Sequence, residues 1–406
     1  MKLLLCCENY PPSVGGVQEV MRQIAERLAA KGHAVTVATG AHPGRADDSV
    51  RNGVRVKSFP VSGGLVQGMC GDVDSYRRFV IDGGFDSILI KAAQQWSFDA
   101  LVPVLSKLRA RKVFIPCGFS GLYEKKFRDY FAEMPSWLSL FDTLIFYAND
   151  YRDIRFAREY GLKNIAVLPN GADEREFLGI DAPGFREEMG VDESEDLLLT
   201  VGTINGAKGH WEVARAFELA KLERPATLIL NGERLQRSWP RAAAQLVRDS
   251  IALRLSLRAL IKRIDRHGDG NKRVIVCNLP RAELVRAFKA SDLFVFASHI
   301  EYSPLVLFES VAAGTPFLSV PSGNSAEIAQ WTGGGVICDA EVGASGRLRP
   351  DPKCLARSME ALLSDPERMT QLGQAGRKAF LAGFSWNSIV ARYEAILGGV
   401  HNSSGL

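Results

Sequence analysis

The chain has 406 residues, more than one hydrophobic core usually supports, so two or more domains are expected. Hydrophobic residues make up 46% and charged residues 24%, with 38 Gly and 18 Pro, a composition that excludes a disordered, collagen-like or fibrous chain. The 50 Lys and Arg against 46 Asp and Glu leave +4, too little for this length to mark a nucleic-acid binder by bulk charge.

The first element is a short apolar strand, Leu3 to Cys7, then a loop through Pro11, Pro12, Gly15 and Gly16. Val17, Val20, Met21, Ile24 and Leu28 share one face at helical spacing. Gly32 closes that helix and Ala34 to Thr39 is the next strand, which completes a βαβ unit. Strands follow at Arg55 to Phe59, Ser87 to Ile90, Lys112 to Ile115, Thr143 to Phe146 and Ile165 to Leu168. A turn-rich stretch, Pro169 to Asp173, and an acidic one, Pro183 to Asp196, place the domain boundary.

The opening order then recurs: strand Leu197 to Val201, Gly-rich loop Gly202 to Gly209, a helix carrying Val213, Ala214 and Phe217, and strand Thr227 to Leu230. Further strands are expected at Arg273 to Cys277, Leu293 to Ala297, Pro316 to Val320 and Val336 to Cys338. The last helix, Trp386 to Leu397, carries Ile389, Val390, Tyr393 and Ile396 on one face, ahead of a polar tail. The fold class is α/β, with two doubly wound parallel-sheet domains.

Cysteines at 6, 7, 70, 117, 277, 338 and 354 include no C-x-x-C pair, which predicts a reduced, cytoplasmic chain without a zinc site of the usual spacing. Leu3 to Cys7 is too short for a signal-peptide core, and no run of about 18 apolar residues predicts a membrane span.

The most specific local feature is Ser291 to Pro316, a strand, a loop carrying Glu301, and a helix with Ser303 suited to N-cap and Pro304 to the first helical position. Such a helix aims its free N–H groups and positive dipole end at the carboxyl edge of the sheet, where a nucleotide diphosphate fits. Glu301 then lies beside the anion site and Glu309 about two turns into the helix. A carboxylate there suits sugar or ribose hydroxyls; as isolated acids both also read as solvated surface residues. Lys208 reaches toward phosphates from the Gly202 loop. His210 stands where a phosphate-binding loop would need a Mg²⁺-binding hydroxyl, and neither Gly-rich loop reads G-x-G-x-x-G, so ATPase and dinucleotide readings fall away. Asp72 and Asp74 look like paired metal carboxylates but follow no apolar strand, and read better as ordinary loop acids.

Together, Pro11-Pro12 to Gly15-Gly16, Leu168 to Asp173, Lys208-Gly209-His210, Glu301-x7-Glu309 with Val311 to Pro316, and Trp386 resemble the retaining glycosyltransferases of family 4, which have the GT-B fold. The resemblance implies a hexosyltransferase with two Rossmann-like domains facing across a cleft. Residues 1–172 would bind acceptor, 173–380 would bind the nucleotide-sugar donor with a helical insertion at 236–268, and 381–406 would cross back as a helix plus tail. Glu301 and Lys208 would be catalytic; Gly15, Gly16, Gly202, Thr203, Lys208, Ser303, Leu305, Val306 and Glu309 would bind donor; Cys117 and Gly118 would lie on the acceptor side. No permanent cofactor and no metal are implied, because lysine and backbone dipoles do that electrostatic work. Three departures stand out: Thr203 for an arginine, with Arg234 or Arg237 as substitutes; Pro304 for a glycine; and Pro116-Cys117-Gly118 for a histidine. They motivate an alternative, a catalytically silent sugar-nucleotide-binding subunit that assists a partner transferase.

Arg254, Arg258, Lys262 and Arg266 recur at i+4 on a helical stretch with a neighbouring stripe of Leu253, Leu257, Leu260 and Ile264. Four like charges in a row repel unless something anionic faces them. That row fits either peripheral contact with an anionic inner-membrane face or a lipid diphosphate acceptor, or an insertion helix that buries its apolar stripe and solvates its cations.

Overall fold

A computed structural model describes residues 1–232, 256–266, 271–343 and 346–400. The chain forms two compact units, Met1–Asn170 together with the chain from Trp386, and Gly171–Ser385.

The first unit is built on an eight-stranded sheet. From edge to edge its strands are Ile165–Val167, Thr143–Phe146, Arg111–Ile115, Ser87–Lys91, Lys2–Cys6, Ala34–Gly40, Val54–Phe59 and Asp48–Arg51. All pair in parallel except Asp48–Arg51, which folds back antiparallel on Val54–Phe59. Leu3, Leu4, Leu5 and Cys6 are wholly buried, as a central strand covered on both faces requires. One face is closed by an aromatic stack in which Phe98 lies 4.5 Å and Phe141 5.0 Å from the Phe114 ring. The helix Gly16–Ala30 buries Val20, Met21, Ile24 and Leu28 as its period predicts, while Val17 is only half-buried in the first turn. The helix Trp386–Leu397 packs against it, and Glu394 accepts from Lys31 at 2.5 Å and meets His33 at 2.7 Å.

Two features of this unit were absent from the sequence reading: the strand Asp48–Arg51 and a hairpin, Val61–Gly64 with Gly68–Gly71. Both are short, polar or Gly-rich, and so lack the apolar alternation that announces a strand. Asp72, by contrast, accepts from the Ser75 N–H at 3.1 Å and caps the helix Val73–Asp82, an ordinary local role.

The second unit holds a six-stranded sheet, wholly parallel, in the order Lys272–Cys277, Ala226–Asn231, Asp196–Val201, Leu293–Phe296, Phe317–Ser319, Gly335–Ile337. Its strands are apolar at most positions because each face feeds a separate core. Leu198, Leu228, Leu230, Leu293, Val295 and Leu318 pack on one side; Leu197, Leu199, Ile229, Phe294, Phe296 and Phe317 pack on the other. Strand ends differ from the expected ones by about one residue. Among the described residues no helix is long and apolar enough to cross a membrane.

The helix at 256–266 buries Leu257, Leu260 and Ile264, and leaves Arg258, Lys262 and Arg266 exposed. Arg263, outside the expected cationic row, pairs with Glu218. Leu253 and Arg254 lie outside the described residues, as do Arg234 and Arg237.

Candidate active site

In the second unit the chain leaves Asp196–Val201 toward one edge of the sheet and Leu293–Phe296 toward the other, although these two strands are neighbours. Loops diverging from adjacent carboxyl ends leave a crevice, the usual ligand position in open α/β sheets. The two loops here are Gly202–Gly209 and Ala297–Pro304, so the topology brings together the two segments that the motifs singled out.

The first loop is fixed by local hydrogen bonds. Asn205 Oδ1 accepts from the N–H groups of Ala207 at 2.9 Å and Lys208 at 3.2 Å, an Asx turn. The Ala207 carbonyl in turn accepts from the His299 N–H at 2.8 Å and the Ser298 hydroxyl at 3.0 Å, which ties one loop to the other. Gly209 has φ +72°, and a Cβ there would collide with the Ala297 carbonyl, so only glycine lets the helix His210–Leu219 start so close to the neighbouring strand. The result places Lys208 Nζ 2.6 Å from Glu301 Oε1, with the carboxylate largely buried and the ammonium one-third exposed.

The helix after Glu301 begins at Leu305, not Pro304. Pro304 is the N-cap residue, with ψ 115°, and its carbonyl accepts from Leu307 N–H at 3.3 Å; Ser303 lies one position before the cap. Pro304 keeps an extended ψ and so takes the cap position itself, which leaves Ser303 one residue outside the helix. Leu305 and Val306 thus occupy the first two helical positions, whose N–H groups have no acceptor within a helix. Glu309 stands one turn from the helix start rather than two. Gly323, at φ +60°, lets the next loop come against the backbone of Glu301 and Tyr302, where Asn324 N–H donates to the Tyr302 carbonyl at 2.9 Å.

Glu309 is not left to solvent. Arg281, at the start of the helix Arg281–Ala290, reaches Glu309 Oε1 at 2.7 Å and Glu176 Oε2 at 2.6 Å, while its guanidinium lies over the Phe177 ring. Arg281 escaped the sequence reading because nothing in its own segment marks it: the pairing joins residues 28 and 105 positions away.

His210 is wholly buried at the start of its helix, and burial lowers its pKa from 6.5 to about 4; Asn231 and Glu212 oppose the shift and Lys208 adds to it. The imidazole is therefore neutral at physiological pH. An unfolded chain would take up the proton below about pH 6.5 while the native one resists until about pH 4, so this histidine removes up to about 3 kcal/mol of stability as pH falls through that window. His210→Asn is expected to flatten the pH dependence of the urea midpoint between pH 6.5 and 4; an unchanged slope would show that another group governs it.

The remaining expected residues lie in the first unit. Gly15 and Gly16 are exposed where the helix Gly16–Ala30 begins, and Cys117 and Gly118 follow the strand Arg111–Ile115. Gly118 N–H donates to Asp153 Oδ2 at 2.8 Å. This sheet also diverges, between Lys2–Cys6 and Ser87–Lys91. Beside that point Ala92, Gln94, Cys117 and Phe119 all have positive φ, between 45° and 69°. Non-glycine residues held so are strained, and such strain gathers at functional sites. Lys91, missed by sequence reading because it ends an otherwise apolar strand, is fully buried and donates to Tyr147 Oη at 2.5 Å; burial lowers its pKa, with Cys117 and Cys7 opposing. Among the described residues no cluster of His, Cys, Asp or Glu has the geometry to hold a metal ion.

Two family models match the chain in succession, Glycosyltransferase Family 4 over residues 14–176 and Glycosyl transferases group 1 over residues 181–379. A D-inositol 3-phosphate glycosyltransferase of Segniliparus rotundus is 27% identical over 58% of this chain and 48% of its own, so the match spans about half of that relative's length. A glycogen synthase of Mycobacterium tuberculosis is 25% identical over 96% of this chain and 92% of its own. The structure of the Anabaena protein HepE in complex with UDP has the same fold, with TM-score 0.71, 15% identity, and coverage of 98% of this chain and 100% of that one. With both family models in chain order and the fold they require in place, the chain belongs to the family 4 glycosyltransferases of GT-B fold.

Proposed function

We propose that the chain transfers a hexosyl group from a nucleoside diphosphate sugar to a hydroxyl acceptor with retention of anomeric configuration, the acceptor being a lipid-linked or cell-surface saccharide precursor. The observation that carries this reading is the juxtaposition of Lys208 and Glu301 beside the start of the helix Leu305–Ala313, at the switch point of the parallel sheet. In this reading Lys208 and the N–H groups of Leu305 and Val306 hold the diphosphate, with Gly202 and Thr203 lining its loop. Glu309 accepts from the ribose hydroxyls and Glu301 lies along the sugar. The anomeric C–O bond breaks with its electrons passing to the phosphate oxygen, where fixed positive groups stabilise the developing charge, and the acceptor oxygen attacks from the same face while its proton passes to the departing phosphate. A preorganised donor at such a position is worth about 3 kcal/mol of barrier.

The UDP held by HepE makes UDP-sugars the first donors to try. In a panel of UDP-, GDP- and ADP-sugars, one nucleotide is expected to raise the melting temperature by several degrees and to be turned over equally well in EDTA, because lysine and backbone groups supply the positive charge. Stabilisation by none would overturn the reading. Stabilisation without nucleotide release would turn it toward an accessory subunit, a role that Thr203 in place of arginine would suit.

The exposed cations Arg258, Lys262 and Arg266 suit an anionic membrane surface. Flotation with phosphatidylglycerol vesicles is expected to carry the protein at low salt and to fail with Arg258→Glu/Lys262→Glu; binding indifferent to both would remove the membrane from the proposal.

A further inference from the structure

Two cysteines 16 residues apart in sequence meet in the second unit. Cys338, just beyond the strand Gly335–Ile337, is buried; Cys354, in the first turn of the helix Pro352–Leu363, is half-buried. Their sulfurs are 2.7 Å apart. Ser358 lies one helical turn beyond Cys354 and offers its hydroxyl to the Cys338 sulfur, while the Asp339 carboxylate stands nearby. Burial pushes the Cys338 thiol up to about 12, so it waits as a protonated thiol while Cys354 is the one that solvent reaches.

The chain between them forms a small antiparallel pair, Ala340–Val342 with Leu348–Pro350. From it the Leu348 N–H donates to the His299 carbonyl at 2.8 Å, two residues before Glu301. The ring Nε2 of His299 in turn meets Glu212 Oε1 at 2.9 Å. The segment bracketed by the two cysteines is thus a brace for the loop that carries Glu301.

We propose that Cys338 and Cys354 are a modification site, where a hydroperoxide converts the two thiols into a reversible disulfide that pins both ends of this brace. The Cys354 sulfur attacks one peroxide oxygen, the O–O bond breaks, and a sulfenic acid and water result. The Cys338 sulfur then attacks the Cys354 sulfur, the S–O bond breaks, and a second water leaves with the Cys338 proton. Two thiols and one hydrogen peroxide become one disulfide and two waters, with two electrons passing from sulfur to oxygen. A dithiol reductant reverses the change.

The test uses the full chain, treated with hydrogen peroxide, unfolded in urea and alkylated with iodoacetamide, digested and analysed by mass spectrometry, with Cys70, the exposed cysteine, as internal control. The expected result is a cross-linked peptide pair containing Cys338 and Cys354, lighter than the sum by two hydrogens, while Cys70 remains open to alkylation. The oxidised protein should melt several degrees higher than the reduced one and exchange the Leu348 amide more slowly, and dithiothreitol should abolish both differences. Cys354→Ser, at the more exposed position, should leave Cys338 alkylatable and remove the peroxide-dependent shift. Alkylation of both residues at a peroxide concentration that already oxidises Cys70, or cross-links to other cysteines, would overturn the proposal whether or not the chain transfers sugar.

Discussion

Glu301→Gln and Lys208→Ala are each expected to lower kcat for sugar transfer by about 100-fold or more, the range for one preorganised electrostatic contact, while the melting temperature changes little. Stability is largely spared because the ammonium is one-third exposed, so solvent screens the pair and can take over part of the lost contact. The two variants should part company in binding. With Glu301 neutralised, Lys208 loses the carboxylate that holds it at 2.6 Å and is released to meet a diphosphate, so nucleoside diphosphate should bind Glu301→Gln at least as tightly as wild type. Lys208→Ala should bind it more weakly. Calorimetry with the nucleotide alone separates these outcomes from a general loss of fold, and full turnover in either variant would defeat the assignment.

The second large effect is expected at Arg281. Its guanidinium is shared between Glu309 and Glu176, and truncation to alanine leaves two carboxylates facing each other without a cation. Glu309 would then swing away from the position in which the proposed ribose contact is made. Arg281→Ala is expected to raise the donor KM by about 10-fold, equivalent to ~1.4 kcal/mol, with kcat and acceptor KM far less affected. Stability should fall by about 1–2 kcal/mol, because the guanidinium is only partly exposed and its bonds are charge-assisted. Arg281→Lys should recover part of the affinity, since an ammonium supplies charge without the planar fork that spans two carboxylates. A matched fall in kcat for every substrate would point instead to a merely structural arginine.

Much of the fold was legible because the sheets are parallel and covered on both sides. Strands such as Leu293–Phe296 are apolar without interruption, and the helices between them carry a clear period. Lys208 and Glu301 stood out for the opposite reason, as charged residues in loops at strand ends, and Glu309 as a charge in an otherwise uncharged helix. What escaped was whatever depends on meeting a distant element. The span between Arg281 and Glu309 covers a helix, a strand and a loop. Lys91 meets Tyr147 only because two parallel strands, with Arg111–Ile115 between them, end at the same edge of the sheet. The helix start at Leu305 moved by one residue because the proline, read as a first helical position, keeps an extended ψ and serves as the cap.

The first unit is interrupted in sequence: its first stretch, with the whole sheet and the helix Gly16–Ala30, ends at Asn170, and the helix that packs on Gly16–Ala30 begins only at Trp386. During synthesis from the amino end, all of Gly171–Ser385 emerges before Ile389, Val390 and Tyr393 exist to cover their neighbours, so the later-made unit is complete while the earlier one still waits for its last layer. A nascent chain halted after Ser385 therefore presents a finished second unit and an unfinished first one, with the apolar flank of Gly16–Ala30 as the surface that a chaperone or a protease would meet first.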